Sequence, residues 1–462
     1  MSNTPLYDAI AAYIRKGPSR FHTPGHGGDG RLFPFADMAL FDLTEVEGLD
    51  ALYEASGPIL EAEKLAAALF GAKRTLISAG GCTLCIQAML RLCAPGGGKV
   101  VMGRGAHRAA VNTAALLNIE PVWVWPKEGR ITPESVQKAL EANSDAFAVY
   151  LTSPDYFGRI SDISGLAGVC RQRGVPLLVD NAHGAHLGMT KGAFHPISQG
   201  ASMTACSAHK TLPVLTGGAW LNIGEERFVG QAKEAMALFG STSPSYPIMA
   251  SLDLARAFCE EQGRAAFGQL QTRVDEIKRL AAQLGFGVPE GECDPVRITL
   301  ATAQAGLTGP ETADRLRKAG GEPEYVEAYH VVLLPNVFHT ERDFTRLSEA
   351  LRGLPRSTPL GEKPFVLPPE PPKAMPLSQA LLASERVRAP IAQALGRVCA
   401  GVVCPCPPGI PVVMPGELVT KEAVQFLSRL GVDGIEVVDS TAKKGKIGLG
   451  SFSPGRKREV NR

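Results

Sequence analysis

The chain has 462 residues, 45% of them hydrophobic and 20% charged, with 48 Lys and Arg set against 46 Asp and Glu. A chain of this length and composition buries a large core and divides into two or three domains. Its net charge of +2 gives no global case for nucleic acid or a membrane surface as partner, so small molecules and further copies of the chain are the expected partners. The opening MSNTPLYDAIAAYIRKG has no long apolar core, and no later run approaches the roughly 18 apolar residues of a membrane span, so a cytoplasmic location is expected. Ten cysteines are scattered singly except for Cys82 with Cys85 and Cys404 with Cys406. Neither pair has the flanking His or repeated spacing of a zinc module, and reduced, mostly buried thiols are expected.

In chain order, residues 6–16 read as an amphipathic helix, and FHTPGHGGDG, with its proline and glycines, as a loop. Pro58 opens a helix through Phe70, with apolar residues at helical spacing and Gly71 where a C-cap belongs. TLISAGGCTLCIQAMLRLCAPGG reads as strand, glycine turn and helix, which makes Gly80, Gly81, Cys82 and Thr83 candidates for an anion cradle, because free N–H groups and the helix dipole converge there. KVVMG, EPVWVWP and AFAVYLTSP are strands, separated by the helices GAHRAAVNTAALLN and TPESVQKALEAN, the second with Thr132 as cap and Pro133 at its first position. A further helix, SDISGLAGVCRQRG, leads into VPLLVD, and MTACSAHKTL follows. Repeated βα units of this length predict a doubly wound, mostly parallel sheet covered on both faces.

Ligands collect beyond the carboxyl ends of such strands. There the sequence places His107, Thr152 to Tyr156, Asp180, and Ser207 with His209 and Lys210. A lysine with an accessible neutral form is a Schiff-base nucleophile, and pyridoxal phosphate is the commonest aldehyde cofactor held that way. Asp180 suits the pyridine nitrogen, whose protonated form a buried carboxylate favours. The phosphate finds the 81–83 turn and Ser207, and the flat ring finds His107. His183 and His186, with Asp180, also leave a metal as an alternative, although no further ligand is evident and 181–185 reads as a loop.

The strings FHTPGHGG, DLTEVEGLDAL, GGCTLCIQAM, RGAHRA, TSPDYFGRISDI, VDNAHGAHLG, SAHKTL, STSPSYPIMASLD and PPGIPVVMPGE resemble the bacterial ornithine/lysine/arginine decarboxylase family, fold-type I pyridoxal-phosphate enzymes, over about residues 20–420. The resemblance implies an α/β fold: a transferase-like large domain with a mixed, mostly parallel sheet, and smaller C-terminal α/β domains. It implies an N-terminal segment at 1–55, the cofactor domain at 56–285, a small α/β domain at 286–356 and a C-terminal unit at 357–462. Lys210 would be the Schiff-base lysine, Asp180 the partner of the pyridine nitrogen, His107 the stacking ring, and Ala182 and His183 part of the ring's surround. Ser207, Gly81, Cys82 and Thr83 would hold the phosphate, and His209 would flank the reacting carbon. Thr242 and Ser243 would reach the cofactor phosphate of a neighbouring subunit, implying a homodimer or higher homo-oligomer with shared active sites.

The sequence departs from the family pattern at Gly27, Cys82, Asn181 and Cys406, which bears on substrate more than on cofactor. For the far end of a basic substrate the expected carboxylate is Glu417, with Glu324 second, and Tyr156 is expected at the substrate. Decarboxylation of arginine, lysine or ornithine is the leading expectation; transamination, aldol cleavage and a catalytically silent paralogue remain beside it. Beyond residue 250 a long helical region leads to DPVRITLATA and HVVLLPNV as strands of a smaller domain, then to a proline-rich stretch and a basic, glycine-bearing tail that reads as disordered.

Overall fold

The computed structural model describes residues 3–31, 37–94, 96–192, 194–355, 357–361, 368–404 and 411–439. The basic tail and Cys406 lie outside them. The N-terminal helix Pro5–Lys16 ends at Gly17, whose φ of 58° supplies the left-handed cap. Pro58–Phe70 forms the second long helix. Its free N–H groups are gathered from a distance: the Asp50 carboxylate accepts from Ser56, Gly57 and Ile59 at 2.7–3.0 Å, doing the work of an N-cap that Gly57 has no side chain to perform.

The main sheet is built from β1 (Arg74–Ser78), β2 (Gly98–Gly103), β3 (Ile119–Val124), β4 (Ala146–Thr152), β5 (Leu177–Asp180), β6 (Met203–Cys206) and β7 (Ala219–Ile223). Its spatial order is β1-β7-β6-β5-β4-β2-β3. Strands β2 to β6 run parallel, whereas β7 is antiparallel to both β1 and β6. β7 is the element that the alternating βα pattern does not announce, because residues 207–218, which separate it from β6, hold only the short helix Ala208–Thr211 and a glycine-bearing turn, with no long crossover helix.

Unbroken apolar strands need cover on both faces. Val100, Met102, Tyr150 and Leu178 pack on one side with residues of helices Gly81–Cys93 and Arg108–Leu116. Val101, Val149, Leu151 and Val179 pack on the other with Pro133–Ala142 and Ile163–Gln172. The Thr132 hydroxyl caps the first of these two helices, with Pro133 at its first position. The strand ends that matter chemically share one edge: Thr152 is in register with Asp180, and Asp180 with Ala205.

Helix Tyr246–Phe258 continues through one wider turn, Cys259–Gly263, into helix Arg264–Gln283, leading away from the main sheet. A second sheet follows, made of β8 (Ile298–Ala301), β9 (Tyr325–Val326) and β10 (His330–Leu333) in antiparallel order β8-β10-β9, with helices Gly309–Lys318 and Glu341–Arg352. A last pair, β11 (Arg386–Pro390) and β12 (Gly434–Val438), carries helix Lys421–Arg429 and its own apolar cluster. Among the described residues no helix is long and apolar enough to cross a membrane.

Candidate active site

Asp180 closes β5 with its side chain buried, because the two faces of the sheet are covered as far as the strand end. Its Oδ2 accepts from the Tyr150 hydroxyl at 3.1 Å and its Oδ1 from the Ala182 amide at 3.2 Å. Burial pushes its proton affinity up, a trend opposed first by the charge of His107 and then by the Tyr150 hydrogen bond. Tyr150 stands two residues before Thr152, in register with Leu178, on the face that Asp180 also uses. A phenol in an otherwise apolar run, Ala146 to Leu151, is the signal that could have identified it.

Lys210 lies in the short helix Ala208–Thr211, directly after β6. Its Nζ is 3.1 Å from Nε2 of His183. The His183 ring is buried, with Nδ1 left without a partner among the described residues. Burial, reinforced by Arg297 and Lys210, holds this imidazole neutral, far below the usual histidine range. Arg297 was not foreseen: from just before β8 it donates to the carbonyls of Tyr156 at 2.8 Å and His183 at 3.4 Å, so the second sheet fixes the wall beside Lys210. The Tyr156 ring meets that of His183 edge-on, centroids 5.0 Å apart, and its hydroxyl donates to Glu324 at 3.2 Å.

His107 caps helix Arg108–Leu116, its Nδ1 accepting from the Ala109 amide at 3.2 Å, which leaves the ring proton on Nε2. The ring is exposed at the mouth of the site, yet partial desolvation lowers its basicity, opposed by Asp180 and reinforced by Lys210. His107, Asp180 and Lys210 are therefore close enough to sense one another's charge.

At the 81–83 turn the backbone and side chains divide. The Gly81 amide, at φ +69°, is spent on the Gly217 carbonyl at 2.8 Å. The amides of Cys82 and Thr83 begin helix Gly81–Cys93, where no preceding turn offers an acceptor. The Cys82 thiol points inward instead, 3.9 Å from Asp180 Oδ1 and within reach of the Ser207 hydroxyl. A thiol in place of a hydroxyl thus affects the surroundings of the acid. Ala182 and Ser207 are buried beside Asp180 and Lys210 in sequence. His209 is turned to the backbone, its Nδ1 donating to the Gly218 carbonyl at 3.0 Å. Thr242 and Ser243 stand exposed on this chain, away from hydrogen bonds to any of these groups.

Glu417 departs most from expectation. Both of its oxygens are bound by Arg104, at 2.5 and 2.7 Å, and Oε2 also accepts from the Met414 amide at 2.8 Å. Arg104 completes its donors on the carbonyls of Pro411 and Val412, with its guanidinium over the rings of Trp123 and Trp125. The pair is buried, so Glu417 is a clamp between the end of β2 and the C-terminal unit, and the expectation that it meets a substrate cation gives way to that role. No group of three or more His, Cys, Asp or Glu side chains able to hold a metal occurs among the described residues. His186 is paired with Asp294 at 2.9 Å, and the described cysteines are free thiols.

The residues fit pyridoxal phosphate. A buried carboxylate whose partners are a tyrosine, an amide and a thiol lacks a directly bonded cation, which a protonated pyridine supplies. A lysine amine stands across the site, and a helix N-terminus is available for the phosphate.

Residues 4–301 match the family model for the Orn/Lys/Arg decarboxylase major domain, and residues 369–432 the model for the C-terminal domain of the same family. The protein is 32% identical to the uncharacterized protein YaaO of Bacillus subtilis, over 93% of this chain and 94% of that one. It is 30% identical to an arginine decarboxylase of Bacillus anthracis, over 92% of each. In fold it is similar to lysine decarboxylase A from Pseudomonas aeruginosa, with a TM-score of 0.79 and 20% identity over 94% of this chain and 80% of that one.

Proposed function

The chain belongs to the Orn/Lys/Arg decarboxylase family, whose members are pyridoxal-phosphate enzymes, and from that premise we propose that it decarboxylates a basic amino acid to the corresponding amine and carbon dioxide. The observation that carries the reading is the meeting of Lys210, His183, Asp180 and His107 around one strand edge. When bound, the cofactor supplies an electron sink for the carbon that loses its carboxylate.

The remaining work falls to the chain's own groups. Lys210 is the residue that would hold the cofactor aldehyde, through its Nζ. Asp180 would hold a proton at the pyridine nitrogen; the Tyr150 hydroxyl and Ala182 amide hold that carboxylate in position. The Cys82 and Thr83 amides, with Gly81 shaping the turn and Ser207 beside it, would hold the phosphate. His107 would stack on the ring, and Ala182 and His183 would border it. Lys210, or His209 through its Nε2, returns a proton to the substrate α-carbon. Tyr156 lines the substrate side of the cleft.

Thr242 and Ser243 complete a neighbouring subunit's phosphate site in this proposal, which makes the working form a homodimer or larger, acting in the cytoplasm. The arginine decarboxylase relatives support arginine as the first substrate to test. The test is to incubate the holoenzyme with arginine, lysine and ornithine and measure amine and carbon dioxide in equal amounts. Keto-acid formation without carbon dioxide would overturn decarboxylation. Lys210→Ala should abolish both turnover and the visible absorption of the lysine-bound cofactor; retention of a borohydride-sensitive band in that variant would remove Lys210 from its role.

A further inference from the structure

Resting on the reading of a basic amino acid as substrate, we propose that Glu324 reads the charged end of the substrate side chain, with Tyr156 holding its carboxylate in place. A cation drawn from water into a cleft needs an acid to receive it. The acids around this site are otherwise engaged. Asp180 faces the position of the pyridine nitrogen, Glu417 is closed off by Arg104, Asp294 is paired with His186, and Asp155 with Arg159.

Glu324 stands differently. Its side chain is exposed, and Oε1 accepts one hydrogen bond, from the Tyr156 hydroxyl at 3.2 Å. A carboxylate offers about four lone-pair directions, so a second donor can be taken without releasing the first. From the reacting amine the path to this carboxylate is a continuous wall of two rings: Lys210 Nζ to His183 at 3.1 Å, and His183 to Tyr156 with centroids 5.0 Å apart. The wall is fixed from behind. Arg297 donates to the carbonyls of Tyr156 and His183, and the Tyr325 ring packs on Tyr156 at 4.7 Å. Glu324 is itself tethered, its amide donating to Val332 of β10 at 2.9 Å. The amine anchor thus comes from the main sheet and the side-chain acid from the second sheet, and a substrate with a cation at its far end spans the two.

The experiment compares wild-type holoenzyme with Glu324→Gln and Tyr156→Phe. Measured are kcat and KM for arginine, lysine and ornithine by carbon dioxide release, and the calorimetric affinities of agmatine, cadaverine, putrescine and norleucine. Visible absorption of the bound cofactor reports that each variant is folded and loaded. Glu324→Gln should raise KM for the preferred substrate about three- to tenfold and weaken its product amine by a similar factor, with kcat less affected. Norleucine, which has no side-chain charge, should bind the variant as it binds the wild type. Tyr156→Phe should move the same quantities in the same direction by less. KM and product affinity unchanged in Glu324→Gln, in an enzyme whose wild type decarboxylates basic amino acids, would overturn the assignment of Glu324 alone. A loaded wild type that releases carbon dioxide from none of the three would overturn the substrate reading, and this inference with it.

Discussion

Replacing Glu417 by Gln leaves the Arg104 guanidinium buried with its countercharge removed. Arg104 makes four hydrogen bonds from the end of β2 to residues 411–417, two to the Glu417 carboxylate and two to carbonyls, and the Met414 amide adds a fifth bond to Glu417 within that segment. Neither side chain is open to water, with exposures of 0% and 5%, so solvent screens little of the loss. Breaking such a buried pair from one side costs about 3–5 kcal/mol. If the segment around Met414 opens locally, hydrogen exchange at its amide should accelerate about a hundredfold to a few thousandfold. Exchange measured by mass spectrometry on the holoenzyme, with urea unfolding alongside, reads both the local and the global effect. Arg104→Met combined with Glu417→Leu should recover much of the loss, since an apolar pair of similar volume carries no desolvation penalty. Unchanged protection at Met414 in Glu417→Gln, together with a selective rise in KM for basic over uncharged substrates, would refute the clamp and restore Glu417 as a substrate acid.

Two further outcomes follow from buried titrating groups. His195 is packed on Phe70 with Nε2 3.4 Å from the Cys206 sulfur, and burial holds its pKa at about 3 against about 6.5 when free. The unfolded chain gains a proton below 6.5 that the folded one refuses, so stability is undiminished above that pH and falls toward pH 3, by up to about 1.4 kcal/mol per unit inside the window. Urea midpoints at pH 7.5, 6 and 5 should show a shallower acid decline in His195→Gln than in wild type, and parallel declines would contradict the assignment. Cys82→Ser should alter the affinity for pyridoxal phosphate less than about threefold, because the side chain faces Asp180 and Ser207 while the phosphate contacts proposed above are backbone amides; a loss of tenfold or more in a cofactor titration would place the thiol at the phosphate instead.

Much of the local structure was readable because its causes are local. The helix Pro58–Phe70 with Gly71 in the left-handed region, and the capping of Pro133–Ala142 by Thr132, follow from residues a few positions apart. Asp180 and Lys210 were legible as strand-end chemistry for the same reason. What escaped depends on distant partners. Arg104 and Glu417 are 313 positions apart, so a clamp and a substrate acid look identical in the string PPGIPVVMPGE. Arg297 lies 114 positions from the His183 carbonyl it holds. The cap on Pro58–Phe70 comes from Asp50, seven residues before Gly57, outside the usual capping spacing. β7 was hidden because an antiparallel return needs no long crossover helix, and Gly217 and Gly218 just before it suggest a loop.

The hydrogen bond from Gly81 to Gly217 closes a circuit of main chain. One arm of it begins helix Gly81–Cys93, the proposed phosphate site; the other is the turn seven residues after Lys210, leading into β7, which is itself laddered to β1 just before Gly81. The two proposed grips on the cofactor, at its phosphate and at its aldehyde, are therefore not independently adjustable. Gly217 sits at φ +97°, where other residues are strained. A side chain introduced there would change the span between the grips without touching either, and an enzyme that seizes a molecule at both ends is sensitive to that span before it is sensitive to anything else.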